Sequence, residues 1–237
     1  MLKAIWFDLD GTLLPMESLD EFIAAFLRDV SAKAAPLGFE PKALAKAVWE
    51  ATGAVIANDG SRPNDEVFHE VIRAKYGNRA ADLDRLFDEY YRGEFNDLAQ
   101  MCGRDPVVAE TVAALKQKGL TLVLASKPIF PLVAQEARMR WAGVDPADFA
   151  HITGAENCAF CKPAPAYYAE ILGKLGLRPE ECLMIGNDVD DDLTAEKVGV
   201  PVFLTTDWLI NRPGKDIAPL PHGTFKDVLG YVEGLMK

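Results

Sequence analysis

Four cysteines in 237 residues are too few for a disulfide-built scaffold and fit a reducing compartment. No apolar stretch comes near the ~18 residues that a membrane-spanning helix needs. The N-terminal run from Met1 to Phe7 meets Asp8 and Asp10 too soon to form a signal-peptide core. Basic residues are in the minority: 25 Lys and Arg stand against 36 Asp and Glu, a formal charge of −11. That deficit argues against a general nucleic-acid binder and against docking on anionic membranes. Low-complexity and repeated segments are absent, and a 49% hydrophobic, 26% charged composition excludes a disordered or collagen-like chain. The expectation is a cytoplasmic protein, long enough for a sizeable core with or without a smaller second domain.

What is present is ordered by period. Lys3 to Leu9 reads as a short buried strand ended by Asp10-Gly11. Helical spacing then takes over, with Leu19, Phe22, Ile23, Phe26, Leu27 and Val30, and again with Leu44, Val48, Ala51 and Val55. Two further sets follow, Val67 to Ile72 and Leu83 to Tyr91, so some 85 residues are helical without a convincing strand. After Pro106 the texture changes to strands alternating with helices. The strands are Leu120 to Ala125, a weak one near Phe149 to Thr153, Cys182 to Ile185, and Val200 to Leu204; helices cover Val108 to Lys118, Leu132 to Trp141, Ala166 to Leu175 and Leu193 to Val198. Alternation of this kind indicates βαβ units and a parallel sheet. The expected architecture is an α/β, doubly wound parallel sheet built from residues 1–15 and 100–237, with an all-helical insert at 16–99.

Ligands of open parallel sheets bind beyond the carboxyl ends of the strands, and those ends carry the charged residues. Asp8 and Asp10 follow the first strand, Ser126-Lys127-Pro128 the second, Lys162-Pro163 the loop beyond the weak strand, and Asp188 to Asp192 the strand ending at Ile185. Asp8 and Asp10 would share a face on a continuing strand, where two carboxylates repel unless a cation intervenes or one is protonated. Asp8 could then attack phosphorus and Asp10 act as acid and base; the same residues also read as ordinary turn chemistry. The acids at 188–192 suit Mg²⁺ by donor type, although a carboxylate in a first helical turn also favours the helix dipole. Asp190 and Asp191 fit that second role, while Asp188 and Asp192, four apart, are the expected metal pair. Ser126 and Lys162 offer a hydroxyl and a fixed positive charge for phosphate oxygens, and Pro128 and Pro165 suit the first turns of the following helices.

Taken together these ends resemble the haloacid dehalogenase superfamily of phosphatases. Asp8-Leu9-Asp10-Gly11-Thr12-Leu13 matches the D-x-D-G-T-L motif in full. An apolar strand ending at Ser126, the Lys162-Pro163 pair, and Ile185-Gly186-Asn187-Asp188 through Asp192 supply the other three motifs in order. The resemblance implies that Asp8 is the nucleophile and a Mg²⁺ ligand. It makes Asp10 the general acid/base, with its carbonyl also on the metal. Thr12 would help position that acid, Ser126 and Lys162 would bind the phosphoryl group, and Asp188 and Asp192 would complete the metal site. It further implies that the helical insert is a C1-type cap and that the substrate is a small phosphorylated metabolite. One departure is Asn187, which stands where many members have the first acid of the fourth motif.

Other readings are a phosphotransferase or mutase on the same scaffold, a dehalogenase, a phospho-aspartate receiver and a silent binding protein. A receiver is about half this length and lacks such an insert, and a dehalogenase gives Asp10 no evident task. Cys158-Ala159-Phe160-Cys161 reads as local packing beside Lys162, or as half a zinc site with His151 and Cys182. Trp49, Trp141, Tyr90 and Tyr91 are expected in core or cap packing, and Arg212 as an exposed arginine.

Overall fold

The computed structural model describes residues 1–237. Its centre is a six-stranded, wholly parallel sheet in the order β3-β2-β1-β4-β5-β6. The strands are β1 (Ala4–Phe7), β2 (Thr121–Leu124), β3 (His151–Ile152), β4 (Cys182–Gly186), β5 (Val202–Thr205) and β6 (His222–Gly223). β1 and β4 are buried along their whole length, which is why they are near-continuous apolar runs: both faces of a parallel sheet are covered. The chain runs outward from β1 through β2 to β3, then returns to β1's other side as β4. The order therefore reverses between β1 and β4, the point at which such sheets leave a crevice for ligands.

Between β1 and β2 the chain is helical: α1 (Leu19–Ala34), α2 (Pro41–Ile56), α3 (Asn64–Tyr76), α4 (Ala80–Arg92), a 3₁₀ stretch Glu94–Met101 and α5 (Pro106–Gln117). Ser18 starts α1 by accepting the Glu21 N–H at 3.2 Å, and Glu40 caps α2 ahead of Pro41. Entry to and exit from the first four helices lie side by side, joined by the Met16–Cys102 bridge and the Gly103 N–H to Pro15 carbonyl bond of 2.8 Å. Aromatic rings fasten this insert to the core. Phe26 meets Phe130 edge-on at 5.5 Å between centroids, and Phe95 lies 5.1 Å from Trp141. Buried aromatic pairs of this kind add ~0.5–1.5 kcal/mol beyond the area they bury.

After β2 come α6 (Leu132–Ala142), α7 (Pro165–Leu175), a 3₁₀ turn Asp192–Val198 and, last, α8 (Val228–Leu235). No helix is long and apolar enough to cross a membrane. Several sequence expectations are corrected. Pro165 opens α7, but Pro128 lies four residues before α6 begins. The segment at 193–198 is 3₁₀, and the 3₁₀ stretch at 94–101 and strand β6 were not foreseen. Trp49 is 61% exposed, because the buried stripe of α2 runs through Leu44, Ala47, Val48, Ala51 and Val55 and leaves position 49 off that face.

Candidate active site

The strand-end residues meet at the β1/β4 crevice. β1 stops at Phe7, and the Asp8 N–H continues its ladder by donating to the Ile185 carbonyl at 2.9 Å. The chain then turns through Gly11, whose φ is +84° and where a Cβ would come within 2.2 Å of Asn187 Nδ2; only glycine fits there. Thr12 Oγ1 donates to Asn187 Oδ1 at 2.9 Å, and Asn187 Nδ2 donates to the Trp208 carbonyl at 2.8 Å. Asn187 is 1% exposed and has both ends of its amide engaged. It thus ties the first motif to the fourth and to the loop after β5, and Thr12 is spent on that tie.

Lys162, almost fully buried, donates from Nζ to Asp8 Oδ1 at 2.8 Å and to Asp192 Oδ1 at 2.7 Å. The other oxygen of Asp192 accepts the Asp188 N–H at 2.9 Å. That approach is so close that a Cβ at Gly186 would sit 2.1 Å from Asp192 Oδ2. Asp8 Oδ2 receives no hydrogen bond. Burial works against the ammonium of Lys162, but Asp192 and Asp8 outweigh it and hold its pKa well above the usual lysine range. Burial raises Asp8, and despite Lys162 it is pushed up to about 7, with Asp192 and Asp10 adding to the rise. Asp192 is raised as well, again through burial. Two buried carboxylates share one cation, so the site is short of positive charge.

The remaining nominated residues divide. Asp10 does not face Asp8's partner: both of its oxygens accept from Arg138 Nη1, at 2.9 and 2.7 Å. Asp188 Oδ1 accepts the N–H groups of Asp190 and Asp191, at 2.8 and 3.0 Å, and its Oδ2 accepts from Arg212 at 2.8 Å. Asp191 pairs with Lys127 at 2.8 Å. The four expected metal ligands, Asp8, Asp10, Asp188 and Asp192, are thus not gathered as one ligand cluster. Each has its own counter-charge, or shares one. Ser126 is buried, and its carbonyl is pinned by Tyr167 OH at 2.7 Å and Thr153 Oγ1 at 2.9 Å. Its hydroxyl makes no hydrogen bond within the chain and so is free to serve a ligand.

Arg138 and Lys127 escaped sequence reasoning, and Arg212 was given no role. The signal for Arg138 was a charge set on the buried stripe of α6, among Ala134, Ala137 and Ala142, where an unpaired arginine is not tolerated. Asn64 also went unread: fully buried at the start of α3, it donates from Nδ2 to the Phe160 carbonyl at 3.2 Å, and its N–H reaches the Cys158 carbonyl at 2.8 Å. The insert is thereby bonded to the loop that carries Lys162. Cys158 and Cys161 are buried, and burial pushes both thiols up to about 12; they pack in the loop before Lys162. A cavity of about 420 Å³ opens beside Asp10 and Asn187, lined also by Leu19, Trp208, Glu17 and Asp207, and by no Lys or Arg.

The wholly parallel sheet, with charged residues and a buried Asp–Lys–Asp trio at its switch point, makes this a doubly wound α/β protein with its site at the strand ends. The family model for haloacid dehalogenase-like hydrolases matches residues 2–199, and the chain belongs to that family. Among curated relatives, the phosphoglycolate phosphatase of Pasteurella multocida is 30% identical over 228 residues, 92% of each chain. That of Yersinia pseudotuberculosis is 29% identical over 201 residues, 84% of this chain and 79% of its own. Among solved structures, a 2-haloacid dehalogenase from Pseudomonas syringae superposes with a TM-score of 0.62 at 22% identity, over 99% of this chain and all of its own. CbbY from Rhodobacter sphaeroides in complex with phosphate gives 0.59 at 21%, over 96% of each. These two establish the fold.

Proposed function

We propose that the protein is a phosphatase that hydrolyses a small phosphomonoester through a phospho-Asp8 intermediate. The observation that carries this reading is the Asp8–Lys162–Asp192 trio. Lys162 fixes Asp8 by one oxygen and leaves Oδ2 without a partner, free to act as nucleophile. In the first step an Asp8 Oδ–P bond forms and the P–O bond to the leaving alcohol breaks; Asp10, entering the step as the protonated carboxylic acid, gives the alkoxide its proton and becomes the carboxylate that pairs with Arg138. In the second, Asp10 takes a proton from water as the water oxygen attacks phosphorus, releasing inorganic phosphate and the Asp8 carboxylate. The Ser126 hydroxyl and Lys162 hold the phosphoryl oxygens, Lys162 with a charge that does not titrate near neutrality. The helical insert acts as the cap, joined through Asn64 to the phosphate-binding side.

Mg²⁺ fits the donor set in part. Asp8 has an open carboxylate oxygen in a site short of positive charge, and hard oxygen donors suit this ion. Asp188 is held by Arg212, whose side chain is 63% exposed while that of Asp188 is 11% exposed, so a cation arriving from the solvent side could take over the arginine's place as counter-charge. Asp8, Asp188 and the backbone carbonyl of Asp10 would therefore hold the ion. Asp192 would not, since both of its oxygens are engaged. Bound there, the ion would supply the charge that offsets the phosphate and the carboxylates during transfer.

The cavity beside Asp10 is the proposed seat of the leaving alcohol. Its acids, Glu17 and Asp207, and its lack of a basic residue favour an uncharged alcohol over one bearing a carboxylate. The test is phosphate release from a panel of phosphomonoesters with Mg²⁺, including phosphoglycolate and neutral polyol phosphates, for the native chain and Asp8→Asn. Turnover of at least one ester, lost in Asp8→Asn, is expected. Undiminished turnover by the variant would remove Asp8 from the reaction, and preference for phosphoglycolate would remove the neutral-alcohol assignment.

A further inference from the structure

We propose that Arg138 is a positioning residue that fixes the orientation of the Asp10 carboxylate for proton transfer. This rests on the reading of Asp10 as the acid and base.

The arginine is built into the fold rather than draped over it. Its side chain is 1% exposed, which an arginine tolerates only with its charge and its donors satisfied. Nη1 serves both oxygens of Asp10, at 2.9 and 2.7 Å; Nη2 donates to Gln135 Oε1; Nε reaches the Ala134 carbonyl at 3.4 Å. The guanidinium carbon lies 4.6 Å from the centroid of the Phe130 ring, a cation–π contact. Phe130 itself is packed against Phe26 of the insert. Arg138 is therefore held by three groups of α6 and its preceding loop, Gln135, the Ala134 carbonyl and Phe130, and its remaining direction is taken by Asp10.

Asp10 has no other side-chain partner, and its side chain is 19% exposed towards the crevice. Without Arg138 the carboxylate could rotate about its two side-chain bonds. With Arg138 both oxygens rest on one nitrogen, so the carboxylate is held at one place and in one direction at the crevice, and the lone pairs facing away from the guanidinium are the ones left for a substrate or water. Misplacing a reacting group by ~1 Å can cost about 10²-fold in rate. A fixed orientation therefore matters most where the proton transfer itself is needed.

That dependence supplies the test. kcat/KM reports the steps up to release of the alcohol, and an alkyl leaving group needs a proton whereas a nitrophenolate does not. Arg138→Gln should lower kcat/KM for the best alkyl phosphate by ~10²-fold and leave that for p-nitrophenyl phosphate little changed. Arg138→Lys should recover much of the loss, because one cationic nitrogen suffices to reach both oxygens. Asp10→Asn, run alongside, should show the same selective loss, and adding Arg138→Gln to it should lower kcat/KM no further. If Asp10→Asn falls equally on both substrates, the acid assignment fails. If Asp10→Asn is selective but Arg138→Gln lowers both substrates equally, or Lys fails to rescue while circular dichroism shows an intact fold, the positioning role fails. Should Arg138→Gln not fold, the Lys variant and the Asp10→Asn/Arg138→Lys pair decide by the same selectivity: additive losses in the pair overturn the proposal.

Discussion

Replacing Asp8 by Asn should do two opposite things: stop turnover and, without metal, make the fold more stable. Burial, against the pull of Lys162 and with help from Asp192 and Asp10, lifts the Asp8 carboxyl from 3.8 to about 7. Below the lower value the group is protonated in both folded and unfolded chains, and its position costs nothing. As pH climbs between the two, the unfolded chain releases its proton first, and the fold loses stability; above about 7 the loss is complete. At roughly 1.36 kcal/mol per unit, a shift of that size corresponds to at most about 4 kcal/mol. The Asn variant lacks this slope and leaves Lys162 and Asp192 as a balanced pair. It must still satisfy its own amide, so a net gain of about 1–3 kcal/mol above neutrality is expected. Asp192 is raised in the same sense, so the variant keeps a shallower slope. Urea unfolding in EDTA at about pH 5 and about pH 8 measures the difference. An equal difference at both pH values, or a variant less stable at the higher one, would refute the charge arrangement drawn here.

Other perturbations follow from the same contacts. Gly186→Ala places a Cβ at 2.1 Å from Asp192 Oδ2; it should displace Asp192 from Lys162, cost about 1–3 kcal/mol in thermal unfolding and depress kcat. Arg212→Ala leaves Oδ2 of the mostly buried Asp188 without its partner, so the metal-free fold should lose about 1–3 kcal/mol, and titration with Mg²⁺ should show tighter binding than in the native chain; weaker binding would exclude Asp188 as a ligand. Glu17→Lys puts a cation in the lining of the cavity beside Asp10, and kcat/KM for carboxylate-bearing phosphates should rise a few-fold relative to neutral ones.

Much of the sheet was legible because β1, β2, β4 and β5 are buried on both faces and therefore spelled as apolar runs. β3 and β6 are two residues each, lie at the sheet's edges and are poorly buried, so β3 reads only as a weak strand near 149–153 and no run announces β6. At the site, residue types at strand ends were readable, but partners were not. A helical spacing of four places Asp188 and Asp192 on one face only if both lie in the helix. Asp188 precedes the 3₁₀ turn instead, and its side chain folds back onto the N–H groups of Asp190 and Asp191, as aspartates at such starts do. Asp192, inside the turn, points to Lys162. The Asp10–Arg138 pair spans 128 positions, a distance over which no local periodicity carries information. The acids at 8–10 and 188–192 likewise read, by sequence, as a demand for metal at the site. Lys127, Lys162, Arg138 and Arg212 meet most of it, and the shortage that remains is confined to Asp8 and Asp192.

In the proposed reaction Asp8 carries the phosphoryl group between the two steps. Rapid acid quench during turnover of the best substrate, followed by peptide mass spectrometry, measures this directly. One phosphoryl group on the peptide containing Asp8 is predicted, more of it when Asp10→Asn slows its hydrolysis and none in Asp8→Asn. Phosphate on another residue, or continued hydrolysis by Asp8→Asn with no labelled peptide, would contradict it.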